Sequence, residues 1–446
     1  MAEKKIIKQG RIRYRMLLLV FVCVVINYMD RSNISIAGPA ILKDFHLSSV
    51  QLGLIFSAFG WTYTFFQIPG GFLLDRIGSR ILYTFSLTLW SLATLLQGLV
   101  SGFAGLFGLR LSIGIFEAPA FPINNRIVTG WFPEKERASA IGIYTSGQFV
   151  GLAFLTPVLA TIQHFWDWRG LFIATGAAGI VWGIIWYKSY RDPDKHPLLS
   201  KDEYDHIAQG GGLVQADKKA AQPARWRDLK AVFRYKKLWG IYLGQFAVNS
   251  TLWFFLTWFP TYLVKYRHLD FLQSGFLASI PFLAAFAGIL LSGFLSDYLL
   301  KRGYSISRAR KTPVILGLLL STLIIGANYV DNTSLIVLFM AIAFFGNGIA
   351  SITWVFVSTL APPHLIGSTG GVFNFIGNMA SVIVPVVIGL LASGGNFAPA
   401  LLFIGAIALF GIFAYIFLVG KVERIQVKTT EGAAPGQNLQ NDQQSK

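Results

Sequence analysis

The chain has 446 residues, of which 54% are hydrophobic and only 13% charged, and its mean hydropathy is +0.55. Soluble proteins carry about 25% charged residues, so this composition excludes an ordinary cytosolic enzyme and a disordered chain. The formal net charge is +17; in so apolar a chain, excess Lys and Arg point to the cytoplasmic face of a bilayer protein rather than to nucleic acid.

A helix needs about 20 mostly apolar residues to cross the hydrocarbon core. Twelve such runs follow in order, at 15–37, 51–73, 81–100, 104–128, 138–163, 168–190, 238–264, 271–296, 312–330, 333–360, 365–393 and 397–420. The first is no cleaved signal peptide: it is long, carries Asp30 and Arg31, and lacks a small-residue cleavage site. The single cysteine, Cys23, excludes an internal disulfide and a cysteine-built zinc site. Alternating the loops between two sides puts about 31 of the 38 Lys and Arg on the side of the N-terminus and four on the other. Both termini are therefore expected in the cytoplasm.

The runs divide six and six around a hydrophilic segment. The expected fold is all-α and integral to the membrane, with twelve transmembrane helices in two six-helix halves, 1–190 and 238–420. A cytoplasmic linker, 191–237, with a short helix near 200–208, and a polar tail, 421–446, complete the chain.

The halves share a local repeat. Gly71-Phe72-Leu73-Leu74-Asp75 follows the second span, and Gly293-Phe294-Leu295-Ser296-Asp297 recurs at the same offset after the eighth. Arg76, Gly78 and Arg80 extend the first copy, and Lys301 and Arg302 follow the second. A small residue lets helices approach closely, and a carboxylate at a helix end can hold a neighbouring loop or helix. This motif reads as a hinge between two rocking halves. The run G-x-x-x-D-R-x-G-x-R at 71–80, with twelve spans and a six-plus-six split, resembles the signature loop of the major facilitator superfamily, over nearly the whole chain.

Four charged residues fall well inside spans, away from their ends: Asp30 and Arg31 in the first, Arg110 and Glu117 in the fourth. Each costs at least about 2.5 kcal/mol at a bilayer centre by insertion scales. Two acids and two bases suggest pairing across the N-terminal half. One reading is a static ion-pair cluster that fixes packing. The other is proton coupling with anion binding: an anionic substrate that takes the Arg leaves the acid without its partner and more ready to accept a proton. Asp30 and Glu117 are then the proton carriers, since His46, His164, His196, His206, His268 and His364 sit in loops or at span ends. Pro119 and Pro122 beside Glu117 should loosen that helix.

The C-terminal half offers polar and aromatic groups instead: Asn347, Ser351, Thr353, Trp354, Asn374 and Asn378. Aligning Pro157 with Pro385 puts Gln148 level with Asn374, and Tyr63 adds a hydroxyl. Hydroxyls and amides around one Arg suit a polyhydroxylated anion such as a sugar acid, although each polar residue alone could equally serve helix–helix hydrogen bonding.

Asn27-Tyr28-Met29-Asp30-Arg31-Ser32-Asn33 is similar to the N-Y-x-D-R run of the anion:cation symporter family within that superfamily. The stretches 116–126 and 144–157, together with Gly244-Gln245-Phe246-Ala247-Val248 and Ala350-Ser351-Ile352-Thr353-Trp354, resemble further segments of the same family. The resemblance implies a bacterial inner-membrane symporter, working as a monomer among lipids, that takes protons and a small sugar-acid anion and needs no cofactor. Galactonate leads the implied substrates, with glucarate, galactarate and hexuronates as alternatives. It also implies roles: Asp30 and Glu117 protonate, and Arg31 contacts the substrate carboxylate. Tyr63, Gln148, Ser351, Thr353, Trp354 and Asn374 line the pocket, and Arg110 is a charge partner in external gating. Competing readings are an anion exchanger with little proton coupling and a transporter-like receptor. No G-x-S-x-G, H-E-x-x-H or P-loop motif supports an enzyme.

Overall fold

The computed structural model describes residues 11–212, 214, 232–362 and 365–425. Among these residues the fold is helical throughout, as lipid demands, because a helix satisfies its own backbone polar groups. The helices are α1 (Ile12–Asp44), α2 (Ser49–Ile77), α3 (Ser79–Gln97), α4 (Phe103–Glu117), α5 (Ala120–Trp131), α6 (Glu134–Phe149) and α7 (Leu155–Ser189). A short helix, α8 (Lys201–Gln209), follows where the sequence predicts one. Then come α9 (Lys236–Thr257), α10 (Phe271–Lys301), α11 (Ile306–Ser321), α12 (Thr333–Ala350), α13 (Trp354–Leu360), α14 (Ile366–Leu391) and α15 (Ala398–Phe413). Eight helical stretches are long and apolar enough to cross a membrane, the longest running over 56 residues from Glu134 to Ser189.

Local chemistry sets the boundaries. Ser48 caps α2 in a capping box: its Oγ accepts the Gln51 N–H at 3.2 Å, and the Gln51 side chain accepts the Ser48 N–H at 2.9 Å. Asp270 and Asn332 cap α10 and α12 in the same spirit. Gly78, at φ 83°, makes the turn between α2 and α3 that a side chain would strain.

Three boundaries differ from the sequence reading. The runs 138–163 and 168–190 form one helical stretch bent at Asp167, whose φ is 57°. The Asp167 carboxylate accepts the N–H groups of Arg169 and Gly170, so a one-residue turn replaces the expected loop. The run 104–128 is broken at Ala118–Pro119, as its prolines predict, leaving Glu117 as the last residue of α4. The run 312–330 starts earlier, at Ile306, and finishes as a 3₁₀ turn, Thr322–Tyr329.

The helices before the linker meet those after it along a seam at the end of the bundle away from the termini. Ser35 Oγ donates to the Thr257 carbonyl at 2.9 Å, and Trp258 Nε1 donates to the Pro385 carbonyl at 3.0 Å. Lys265 Nζ donates to Ser49 Oγ at 3.2 Å, and Tyr266 bridges Ser49 and the Ala392 carbonyl. Along α2 and α14 the approach is so close that a Cβ on Gly53 would overlap the Pro385 carbonyl, and one on Gly60 would overlap Ser381. Nearer the termini the helices diverge. The close approach expected at Gly71 and Gly293 is absent: nothing lies within 4 Å of where a Cβ would stand on either. On α2 the small-residue contacts lie higher, at Gly53 and Gly60, within the closed part of the seam, and on α10 Gly275 meets Ala160 of α7.

Candidate functional site

Below the closed seam, at the level where the helices part, lies a cavity of about 440 Å³. Arg31 of α1 and Tyr63 and Gln67 of α2 form one wall, and Gln148 of α6 stands beside them. From the other side come Gln245 and Asn249 of α9, Ser351 and Thr353 of the turn after α12, Trp354 of α13, and Asn374 and Asn378 of α14. Every pocket residue expected from the sequence, Arg31, Tyr63, Gln148, Ser351, Thr353, Trp354 and Asn374, lines this one cavity.

Arg31 is the only charged side chain among the described lining residues. Its guanidinium is held between three rings, 4.8 Å from the centroid of Tyr28, 4.9 Å from Phe59 and 4.8 Å from Tyr63. Cation–π contacts of this kind fix orientation without spending the fork's donors. Behind it, Arg31 Nε donates to Glu117 Oε1 at 2.7 Å, and Nη2 approaches the same oxygen at 2.5 Å. Glu117 is fully buried, and its Oε2 has no hydrogen-bond partner among the described residues. The helix break at Ala118–Pro119 falls one residue beyond it.

The fourfold charge cluster expected from the sequence is not one network. Only Arg31 and Glu117 pair. Asp30 points away from the cavity and accepts from Trp90 Nε1 at 3.2 Å and Asn33 Nδ2 at 3.2 Å. Neighbours on a helix diverge by about 100°, which is why Asp30 and Arg31 serve different surroundings. Arg110 is buried, with no carboxylate in ion-pair range among the described residues, and lies 5.4 Å from the Phe59 ring.

The wall opposite is tied by amides and hydroxyls. Thr353 Oγ1 donates to Gln245 Oε1 at 2.5 Å, and Gln245 Nε2 donates to Asn249 Oδ1 at 3.3 Å. Asn374 Nδ2 donates to Gln67 Oε1 at 2.8 Å, and Asn378 Nδ2 donates to Asn374 Oδ1 at 3.1 Å. The sequence reading missed Tyr28, Gln67, Gln245 and Asn249 as lining residues. A signal was there: Gln67 stands one turn from Tyr63, and Gln245 and Asn249 are four apart, one turn, on α9.

The repeated carboxylates sit at the terminus-bearing end. Asp75 Oδ1 lies 3.3 Å from Arg126 Nη1, and that same nitrogen donates to the Leu74 carbonyl at 3.0 Å. Asp297 Oδ1 lies 3.5 Å from Arg310 Nη1, which also donates to Ser296 Oγ at 3.0 Å. Each acid thus holds an arginine of a nearby helix. Arg80 donates twice to the Tyr187 carbonyl and rests on the Tyr187 ring, while Arg76 stays exposed. Of the histidines, His364 lies outside the described residues, and none of the other five lines the cavity.

Residues 20–385 match the Major Facilitator Superfamily. The chain belongs to that superfamily. It is therefore a multi-pass membrane transporter and not an enzyme. It is 55% identical to the D-galactonate transporter of Escherichia coli O6:H1 over 94% of this chain and 98% of that protein. It is 44% identical to the probable galactarate/D-glucarate transporter GarP of Escherichia coli K12, over 96% of this chain and 98% of that one. Among solved structures it resembles the nucleoside transporter NupG, with a TM-score of 0.70 at 13% identity over 92% and 100% of the two chains. A bacterial homologue of the human lysosomal transporter Spinster, in an inward-facing unoccupied conformation, gives 0.67 at 21% over 92% and 95%. At such identities the structural likeness concerns the fold.

Proposed function

We propose that this transporter is a proton-coupled symporter that imports a sugar-acid anion, D-galactonate foremost, by alternating access between two six-helix halves. The observation that carries the reading is the Arg31–Glu117 pair at the cavity wall. A substrate carboxylate can replace Glu117 on the Arg31 fork, and Glu117, left without its partner, takes a proton. The buried site then keeps the same net charge: an anion enters and a proton neutralises the acid it displaced. Proton and anion binding thereby favour each other. Asp30, next to Arg31 in sequence, is the second proton carrier, and Arg110 biases both acids from its buried position.

The lining supports a monocarboxylate over a dicarboxylate. One cation faces the cavity among the described residues, and amides and hydroxyls surround it. Glucarate and galactarate carry a second carboxylate, which would lack a cationic partner here. The name of the relative at 55% identity points the same way.

Twelve crossings fit the helices: the stretch Glu134–Ser189 is long enough for two, and α2, α3 and α9 have at least 19 residues each. The halves are 1–190 and 238–420, with linker 191–237 and tail 421–446. Both termini lie in the cytoplasm of a bacterial inner membrane, so the closed seam faces outward and the parted end inward. The switch motif, Gly71 to Arg80 with Asp297, acts at that inner end. The protein works as a monomer, with no cofactor beyond the proton.

Proteoliposomes containing the purified protein test the reading. An inward proton gradient should drive accumulation of labelled D-galactonate, and a protonophore should abolish it. No accumulation, or accumulation indifferent to the protonophore, refutes proton symport. Equal preference for galactarate refutes the monocarboxylate assignment.

A further inference from the structure

Gln67 occupies an unusual position. Contacts between α2 and α14 run down the seam from Ser49 and Gly389, through Gly53 and Pro385, to Gly60 and Ser381. Gln67 and Asn374 form the next step. One turn further, Gly71 and Gly371 have open space around them. The Gln67–Asn374 hydrogen bond therefore stands where the two helices begin to part, and it is also part of the cavity wall.

The geometry of the bond is directional. Gln67 supplies the acceptor, Oε1, and Asn374 donates through Nδ2. Asn374 Oδ1 is meanwhile held by Asn378 Nδ2. Both ends of the Asn374 amide are thus fixed, one from across the seam and one from its own helix. Gln67 keeps its Nε2 amide protons, which make no hydrogen bond among the described residues, and Gln67 itself lines the cavity. An amide that must present one defined edge to a sugar hydroxyl gains from such fixing, because the ordering is done before the ligand arrives.

We infer that Gln67 is a substrate-positioning residue, which sets the Asn374 amide across the seam and, with it, recognises hydroxyls of the bound sugar acid as a pair. The inference rests on the sugar-acid reading above for the identity of the ligand, but not for the pairing itself. Removing Gln67 leaves Asn374 tethered on one side only and withdraws a donor from the cavity. Each loss weakens binding without touching the Arg31–Glu117 exchange. The pair also joins α2 to α14, so it reports ligand binding to the point where the helices diverge.

The decisive experiment is a double-mutant cycle read by galactonate binding. Gln67→Leu should raise the Kd for D-galactonate about tenfold, a typical loss for one or two neutral hydrogen bonds. In an Asn374→Leu background the same change should cost clearly less than in wild type, because the tether is already gone and only the Gln67 donor remains to be lost. Equal effects in both backgrounds, or an unchanged Kd in Gln67→Leu, overturn the proposal. The pairing is tested separately and without substrate. In a Cys23→Ala chain, Gln67→Cys with Asn374→Cys should crosslink through a short bis-thiol reagent. Failure to crosslink overturns the proposal even if transport is normal. If wild type binds no sugar acid while the crosslink forms, the substrate reading fails, substrate positioning falls with it, and the pairing stands. Thermal melting of each variant separates folding defects from binding losses, and Gln67→Met supplies a second apolar variant of similar length.

Discussion

Arg31 and Glu117 meet at 2.5 Å inside the bundle, and the contact uses one carboxylate oxygen while the other has no partner among the described residues. A buried pair of this sort is a weak source of stability, since desolvation offsets most of the attraction. In the proposed mechanism its value lies in being exchangeable. Glu117→Gln keeps an oxygen for Arg31 Nε but imitates a permanently protonated acid. Exchange of labelled for unlabelled galactonate should continue, while accumulation driven by a proton gradient should vanish. Wild-type accumulation in this variant would remove Glu117 from proton coupling.

Arg31 itself is a sterner test of the substrate role. Arg31→Lys keeps the charge but loses the planar fork and much of the contact with Tyr28, Phe59 and Tyr63. A charged hydrogen bond contributes about 1.5–3 kcal/mol, so the Kd for galactonate should rise about 10- to 150-fold. A change below twofold would show that the carboxylate binds elsewhere. Titration calorimetry on purified protein gives the number.

The fold was legible because the bilayer imposes a coarse rule: apolar runs of sufficient length become helices. The pocket was legible for a related reason, since polar residues such as Asn374 and Thr353 stand out in apolar helices. What escaped notice was pairing. Asp30 and Arg31 are adjacent in sequence, yet one faces Trp90 and the other the cavity, and only the packing of α3 against α1 decides that. Gln67 escaped because its partner lies 307 positions away. The seam glycines escaped because a glycine in a membrane helix carries no mark of which neighbour approaches it. Gly71 drew attention through its motif, whereas Gly53 and Gly60 make the contacts.

Those seam glycines yield a third prediction. A Cβ at Gly53 would meet the Pro385 backbone, which cannot turn aside as a side chain can. Overpacking costs about 1–3 kcal/mol, and here it acts only on the closed seam. Gly53→Val should shift the population about 5- to 150-fold away from closure and abolish uptake. Ser35, buried beside Thr257, is the reporter. In a Cys23→Ala, Ser35→Cys chain, an impermeant thiol reagent applied from outside should label slowly, and Gly53→Val should accelerate it. Unchanged labelling would show that the seam tolerates the side chain.

The linker carries the clearest pH dependence. His196 stacks edge-on against Trp131, and its Nδ1 accepts the Leu198 N–H at 3.2 Å, which requires the neutral ring. Burial, reinforced by the nearby Arg191, holds its pKa below the ordinary histidine value. The folded state then binds fewer protons than the unfolded state as pH falls through about 6.5, so stability drops on acidification and recovers as pH rises. Melting temperature should therefore decline from pH 7.5 to 5.5 more steeply in wild type than in His196→Asn. Parallel curves would assign the pH dependence to other groups.

Glu203 of α8 ties that linker to the first helix. Its two carboxylate oxygens accept the N–H groups of Ile12 and Arg13, at 3.3 and 3.1 Å, and the acid also pairs with Arg13 Nη1 at 3.6 Å. A carboxylate at the exposed N–H groups of a helix start is favourable both as a cap and against the helix dipole. Here the cap comes from 190 residues away in sequence. Arg13 keeps a second partner in Glu136 at 3.3 Å, and His206 of α8 meets that same Glu136 at 3.1 Å, so one missing carboxylate does not dissolve the cluster. Glu203→Ala strands two buried donors and should destabilise the protein by about 1–3 kcal/mol. Glu203→Gln retains one acceptor oxygen and should lose less. Since the cluster lies far from the cavity, the Kd for galactonate should be unchanged in both variants. Melting in detergent measures the first effect and binding the second; full stability in Glu203→Ala would show that the linker helix merely rests on α1.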